Sequence, residues 1–173
     1  AITARAVAGD AISENERSTL FETRGADLEH VCASADALRR AVSGDTVTYV
    51  VNRNINYTNI CAYRCGFCAF SKGDKAEALR GAPYDLDLSE VVRRSQEAWD
   101  RGGTEVCLQG GIHPHYTGET YMGLARAVRA AVPEMHIHAF SPLEVWQGAA
   151  TLGLDLETYL RGLKDAGLDT LPG

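Results

Sequence analysis

The sequence is poor in lysine and has no long apolar run, and each shortage excludes a class of protein. Three of its 173 residues are lysine and the formal net charge is −6, whereas binding to a nucleic-acid backbone relies on a basic face. The longest stretch without Asp, Glu, Lys or Arg is the 13 residues from 106 to 118, and a transmembrane helix needs about 20 apolar residues. We therefore expect a cytoplasmic protein that binds neither nucleic acid nor membrane and acts on small molecules or proteins.

Several catalytic signatures are also missing. The sequence contains no phosphate-binding loop of the G-x4-G-K-S/T type, no H-E-x-x-H zinc motif and no nucleophile elbow. The H-x-E and P-C-x-x-C pattern of nucleobase deaminases is absent as well. The remaining chemical signal is the placement of the cysteines.

Three of the five cysteines form a triplet within eight residues, Cys61, Cys65 and Cys68. The odd total does not indicate a disulfide framework, and the C-x3-C-x2-C spacing allows the three sulfurs of this cysteine triplet to converge. Convergent thiolates bind zinc or an iron–sulfur cluster. Zinc would need a further ligand, which His136 or His138 could supply from elsewhere in the chain. On a four-iron cluster, three thiolates leave one iron open, as a catalytic metal requires.

The two other cysteines are predicted to be reduced and buried. Cys32 falls in a helical pattern and Cys107 in an apolar strand, where a cysteine acts as a small hydrophobic residue. The metal-site prediction therefore concerns the cysteine triplet alone.

Ahead of the triplet, the sequence predicts a helical lead-in over residues 1–45. A capping box of Ser13 and Glu16 begins one helix, and apolar residues at helical spacing predict a second helix that stops at Gly44. Residues 46–51 are rich in β-branched and aromatic side chains and predict a strand.

From residue 54 onward, predicted strands and helices alternate with short connections. The strands are expected at 54–60, 104–109 and 135–140, with a fourth beginning at 168. This alternation predicts a parallel sheet wrapped by helices. A complete eight-unit barrel takes about 250 residues, so the 120 residues from 54 to 173 correspond to about four strand–helix units. We expect residues 46–173 to form an α/β fold, the N-terminal half of a truncated (β/α) TIM-type barrel.

In such a sheet the ligand site lies at the carboxyl ends of the strands. The predicted strands end in the cysteine triplet, in Gln109-Gly110-Gly111-Ile112 and in His138-Ala139-Phe140-Ser141-Pro142. We predict that these three ends form one site. His136 and His138 share one side of their strand, and both a structural role and a role in substrate binding are open for them.

The cysteine triplet carries a family resemblance. With Phe67 just before its third member and Gly110-Gly111 one strand later, it resembles the radical S-adenosylmethionine (SAM) superfamily. The resemblance implies that the triplet ligates a 4Fe–4S cluster whose open iron binds SAM, and that electron transfer cleaves SAM to a 5′-deoxyadenosyl radical. Gly110 and Gly111 would contact SAM through the backbone alone, since Ile112 stands where the superfamily often has an acidic residue. A plain strand-to-helix turn is the alternative interpretation of the glycine pair. Phe67 would lie against adenine or shield the cluster.

Most of the chain resembles one branch of this superfamily. Segments 52–61, 65–70 and 105–112 are similar to the FO synthase family, which forms the deazaflavin FO, and to two families of menaquinone biosynthesis. Segments 136–142 and 167–173 are most like the tyrosine-using half of the FO synthase family. The resemblance implies transfer of the 4-hydroxybenzyl group of L-tyrosine to 5-amino-6-(D-ribitylamino)uracil. It also implies a second radical SAM half and an electron donor such as flavodoxin or ferredoxin.

Three other hypotheses are open at this point. Aminofutalosine synthase and cyclic dehypoxanthine futalosine synthase of menaquinone biosynthesis belong to the same branch. A non-catalytic iron–sulfur or zinc protein would also explain the cysteine triplet. Finally, a truncated chain could be inactive without its remainder. Substrate use and metal content distinguish these hypotheses.

Overall fold

The computed structural model describes residues 2–63, 65, 68 and 82–172. It divides the chain into two compact units, Ala1–Tyr49 and Val50–Gly173. The boundary predicted from the sequence, between residues 45 and 46, lies four residues before this division. In the described part of the chain, no helix has the length and apolar character needed to cross a membrane.

The first unit is helical. It contains α1 (Ile2–Val7), which the sequence did not predict, α2 (Glu14–Glu22) and α3 (Gly25–Ser43). The predicted capping box is present, because the Ser13 hydroxyl accepts the N–H of Glu16 at 3.3 Å and the Glu16 carboxylate accepts the N–H of Ser13 at 2.8 Å. Cys32 is exposed on α3, so the prediction of a buried thiol was wrong. The physical reason is that α3 buries none of its residues.

The second unit contains a parallel sheet with the order β1-β2-β3. Its strands are β1 (Asn52–Asn56), β2 (Glu105–Gln109) and β3 (His136–Ala139), and its described helices are α4 (Leu88–Asp100), α5 (Gly118–Ala131), α6 (Pro142–Leu152) and α7 (Leu156–Asp165). Ile55 is paired with Leu108, and Leu108 with Ala139. All three strands therefore point their carboxyl ends to one edge. This arrangement confirms the predicted α/β class and the strand–helix units of a partial barrel.

The predicted strand at 46–51 is not present, although the structure describes all of these residues. Val47 and Tyr49 have strong β propensity, but their side chains are 88% and 89% exposed. Propensity reflects packing against neighbouring strands, so apolar composition alone does not form a strand here. The next predicted strand, 54–60, also differs, since β1 runs from Asn52 to Asn56.

The predicted fourth strand is reduced to its first contact with β3. Thr170 forms a single parallel bridge with His138, and its carbonyl accepts the N–H of Ala139 at 2.9 Å. The described residues therefore form three strands and the first bridge of a fourth.

The two faces of the sheet differ in polarity. Ile55, Val106, Leu108 and Ile137 are at most 1% exposed and form the core with the helices. Because successive residues of a strand point to opposite faces, the other face is formed by the alternate residues. We call this face the polar face; it consists of Asn52, Asn54, Asn56, Glu105, Cys107, Gln109, His136 and His138.

Leu108 lies at 0% exposure in the central strand. We expect Leu108→Ala to lower the free energy of unfolding by about 2–5 kcal/mol, since it leaves a cavity in the core. The matched control is Leu156→Ala, at a position 47% exposed, where a change within about 0.5 kcal/mol is expected. Urea unfolding followed by circular dichroism measures both, and equal losses would contradict the packing described.

Candidate active site at the carboxyl ends of the strands

The carboxyl ends of the strands open into a cavity of about 320 Å³. Its wall includes five of the six residues predicted to bind metal or cofactor, namely Cys61, Cys65, Cys68, Gly110 and Gly111. The sixth, Phe67, lies outside the described residues. Small-molecule sites have volumes of roughly 300–1,000 Å³, so this cavity is large enough to be a ligand site. We call it the cysteine cavity.

Three hydrogen bonds hold the turn after β2 against the start of the cysteine triplet. The N–H of Gly111 donates to the carbonyl of Thr58 at 2.9 Å, and the N–H of Ala62 donates to the carbonyl of Ile112 at 2.8 Å. The N–H of Ile112 donates to the sulfur of Cys61 at 3.3 Å. Amide hydrogen bonds of this kind orient a metal-binding thiolate and tune an iron–sulfur centre. The glycine turn and the first thiol of the triplet therefore form one unit.

Residues 82–84, which begin the next described segment after Cys68, are hydrogen-bonded to the residues that follow β1. Asn59 is 8% exposed; its side chain accepts the N–H of Tyr84 at 2.8 Å and donates to the carbonyl of Ala82 at 3.3 Å. The hydroxyl of Thr58 donates to the carbonyl of Tyr84 at 2.8 Å. A buried amide needs such partners, and these bonds anchor residues 82–84 beside the cysteine cavity.

A buried carboxylate, Glu144, joins the ends of the three strands. It is 1% exposed. Its Oε1 accepts the N–H of Gly110 at 3.0 Å and the hydroxyl of Tyr57, and its Oε2 accepts the N–H and the hydroxyl of Ser141 at 2.7 and 2.6 Å. Burial raises the pKa of Glu144, while the hydrogen bonds from Ser141, Tyr57 and Gly110 oppose that rise. Tyr57, Gly110 and Ser141 follow β1, β2 and β3, so one carboxylate contacts all three ends.

Glu144 and Tyr57 are not among the site residues predicted from the sequence. A signal was present, because Ser141-Pro142-Leu143-Glu144 has the pattern of a capping box with proline at the first helical position. That pattern marks the start of α6, and the structure contains this capping box. It does not reveal that the glutamate is buried or that it reaches two other strand ends.

The rings of His136 and His138 both lie within hydrogen-bond distance of the hydroxyl of Thr170. Its hydroxyl oxygen lies 2.9 Å from Nε2 of His136 and 2.7 Å from Nδ1 of His138. With Glu105, the two rings form the only group of three ligand-type side chains within 4.8 Å that the described residues contain. Neither histidine lines the cysteine cavity, so the geometry does not support a zinc ion shared with the triplet. The shared hydroxyl supports a structural role for the pair.

Cys107 lies on the polar face and is half-buried, so its predicted burial is only partial. Burial raises the pKa of its thiol, and the carboxylates of Glu105 and Glu144 add to the effect. A raised pKa favours the protonated, unreactive form. Cys107 therefore differs from the triplet, whose members all line the cavity.

The donor set around the cavity fits a thiolate-ligated iron–sulfur cluster. The three thiols form no disulfides, and thiolates are the usual ligands of such clusters. A Cβ at Gly110 would overlap the ring of Tyr57, and one at Gly111 would overlap the carbonyl of Ile60. Both glycines are therefore required where the turn packs against Tyr57 and Ile60, and the part of the cavity wall that they form carries no side chain. Together these features define the class of cofactor-dependent α/β-barrel proteins.

The family comparison identifies the group within that class. Residues 55–172 match the model of the Radical SAM superfamily. This match covers more than half of the chain, and the chain belongs to the radical SAM superfamily. The prediction drawn from the cysteine triplet is confirmed at this level. Membership implies a 4Fe–4S cluster and SAM as cofactors.

The chain is also similar to individual curated proteins. It is 52% identical over 171 residues to the FO synthase of Mycobacterium tuberculosis, which covers 98% of this chain and 19% of that protein. It is 42% identical over 165 residues to the 5-amino-6-(D-ribitylamino)uracil–L-tyrosine 4-hydroxyphenyl transferase of Methanosphaerula palustris, which covers 95% and 44%. The chain thus spans about a fifth of the first relative and less than half of the second.

Among solved structures, the FeFe-hydrogenase maturase HydG from Carboxydothermus hydrogenoformans is similar in fold. The TM-score is 0.69 at 19% sequence identity, and the alignment covers 98% of this chain and 36% of HydG. At this identity the likeness concerns the fold alone. It agrees with a partial barrel in the second unit.

The glycine wall can be tested with a pair of glycine-to-alanine variants. In Gly111→Ala, the new Cβ would push against the carbonyl of Ile60, one residue before Cys61. We expect at least half of the iron bound after anaerobic reconstitution to be lost. The control is Gly123→Ala in α5, where a Cβ meets nothing within 4 Å and iron binding should match the wild type. Normal iron content in Gly111→Ala would show that the wall tolerates a side chain.

Proposed function

We propose that the protein carries out the tyrosine-using step of FO biosynthesis, transferring the 4-hydroxybenzyl group of L-tyrosine to 5-amino-6-(D-ribitylamino)uracil. The observation that carries this proposal is the 42% identity to the Methanosphaerula palustris transferase, whose name states both substrates. The alignment covers 165 of 173 residues. A stretch of that length necessarily contains every residue of the cysteine cavity.

In this proposal the cysteine cavity holds both cofactors. Cys61, Cys65 and Cys68 ligate a 4Fe–4S cluster, and the backbone of Gly110 and Gly111 contacts SAM, as does Phe67. The cluster supplies the electron that cleaves SAM and so starts the radical reaction. The support is the free thiols around one cavity and the glycine wall beside them.

The chain's own contribution is to fix the first thiol and to leave its cluster partly open. The N–H of Ile112 donates to the Cys61 sulfur, and a bond of this kind orients a metal-binding sulfur. Three cysteines leave one iron of a four-iron cluster without a protein ligand, which is the position that a substrate or cofactor can take.

The remaining parts of the proposal concern partners and compartment. The reaction needs a one-electron donor such as flavodoxin or ferredoxin, and a second radical SAM half or protein to close the deazaflavin ring. The similarity to FO synthases, of which this chain spans about a fifth, supports the latter. Free thiols are typical of a reducing compartment, which supports a cytoplasmic location.

Substrate use tests the proposal directly. The reconstituted protein that carries this sequence is supplied with SAM and a reductant under anaerobic conditions. We expect 5′-deoxyadenosine to form at least tenfold faster when both tyrosine and the diaminouracil are present than when either is missing. Formation only with an enolpyruvyl precursor of menaquinone would instead identify an aminofutalosine-type enzyme.

Metal content tests the assignment of the cysteines. Cys61→Ala, Cys65→Ala and Cys68→Ala should each lose most of the iron and labile sulfide, because each removes a cluster ligand. Cys32→Ala and Cys107→Ala are the matched controls, since neither residue lines the cavity, and should keep about the wild-type four irons of such a cluster. One zinc per chain in the wild type would identify a zinc protein instead.

A further inference from the structure

Glu144 is the one acidic side chain among the described residues that is at most 1% exposed. A carboxyl group buried to this extent is costly unless hydrogen bonds compensate it. Here two backbone N–H groups and two hydroxyls do so. The proposed cluster and SAM contacts do not involve Glu144, so this buried carboxylate needs a separate explanation.

The contacts of Glu144 divide into two halves. Oε2 is engaged by the backbone and hydroxyl of Ser141, which is the capping box of α6. Oε1 is engaged by Gly110 and by Tyr57, whose ring fills the space where a Gly110 side chain would stand. The contacts of Oε2 therefore form the start of α6, and a carboxylate that reached only Ser141 would be enough for that role. The other half reaches across to the glycine wall of the cysteine cavity.

The Gly110 N–H is thereby fixed in direction. It donates to Glu144, while the next N–H, of Gly111, donates to the carbonyl of Thr58. The first of these amides belongs to the Gln109–Gly110 peptide group, so Glu144 fixes the orientation of that peptide group, and Thr58 fixes the one that follows. Gln109 and Gly110 both form part of the cavity wall.

We propose that Glu144 is a positioning residue that holds the Gln109–Gly110 peptide in the wall of the cysteine cavity and thereby sets the affinity of the site for SAM. This inference rests on the proposed function, in that it takes SAM as the occupant of the cavity. Glu144 does not itself line the cavity, but its partners Gly110 and Ser141 do, so it acts through these two residues, and the proposal concerns the contact with Gly110.

Two substitutions separate position from charge. Glu144→Asp keeps a carboxylate that can cap α6 but is one methylene shorter, so it cannot keep both Ser141 and Gly110. Glu144→Gln keeps the full length and loses the charge, and its amide oxygen can still accept from Gly110. A positioning role predicts that the aspartate variant is the more damaged of the two. A purely electrostatic role predicts the opposite order.

The control is Tyr159→Phe. Tyr159 is also fully buried, and its hydroxyl donates to the carbonyl of Gly118 at 3.0 Å, away from the cysteine cavity. Removing this hydroxyl deletes one buried hydrogen bond without touching the glycine wall. It reports how much SAM affinity changes when the fold is merely less stable.

The dissociation constant for SAM is measured by calorimetry on the reconstituted protein, and hydrogen exchange is measured on residues 108–112. We expect Glu144→Asp to weaken SAM binding at least tenfold and to speed exchange in this segment, with iron content and the SAM-free spectrum of the reduced cluster unchanged. Glu144→Gln should weaken binding less than Glu144→Asp does, and Tyr159→Phe less than threefold.

Three results would overturn the proposal: wild-type affinity in a folded Glu144→Asp, a greater loss in Glu144→Gln than in Glu144→Asp, or an equal loss in Tyr159→Phe. Failure of Glu144→Asp to fold would also overturn it, since Glu144 would then be a determinant of folding. If the wild type binds SAM but does not act on tyrosine, only the proposed function fails. If the wild type does not bind SAM, both fail.

Discussion

Parallel pairing in register carries three segments that are far apart in the sequence to one edge of the sheet. Asn56 pairs with Gln109 at the last position of β1 and β2, and Ala139, the last residue of β3, pairs with Leu108. The strands therefore end within one residue of each other. The strand residues that line the cysteine cavity, Asn54, Asn56 and Gln109, owe their location to this register, because a shift of one residue would turn a strand's side chains to the opposite face.

The edge that results is rich in polar groups, and two buried ones, Glu144 and Asn59, are hydrogen-bonded within the protein. Glu144 and Asn59 each join at least two segments by hydrogen bonds. Fully satisfied networks of this kind rigidify the structure around them. The backbone around the first thiol and the glycine wall is thus fixed by the protein itself, and a bound cofactor meets a site whose wall is already formed.

The sequence predicted the parts of this site that depend on local spacing. The cysteine triplet, the glycine pair and the alternation of strands and helices are patterns within short windows, and the structure brings the five described candidate residues to one cavity. Other features depend on distant partners. Residues 46–51 have the composition of a strand without a neighbour to pair with, and Cys32 lies on a helix that buries no residue. Glu144 was missed for the same reason, because its burial follows from the meeting of three strand ends.

The bonds from Thr58 and Asn59 to residues 82–84 hold the two ends of an intervening stretch of chain at one place. Thr58, Asn59 and Tyr84 also line the cysteine cavity. The bonds that join these two segments therefore set the position of one side of the cavity wall, and a substitution that breaks them would displace that side while leaving the strand register unchanged.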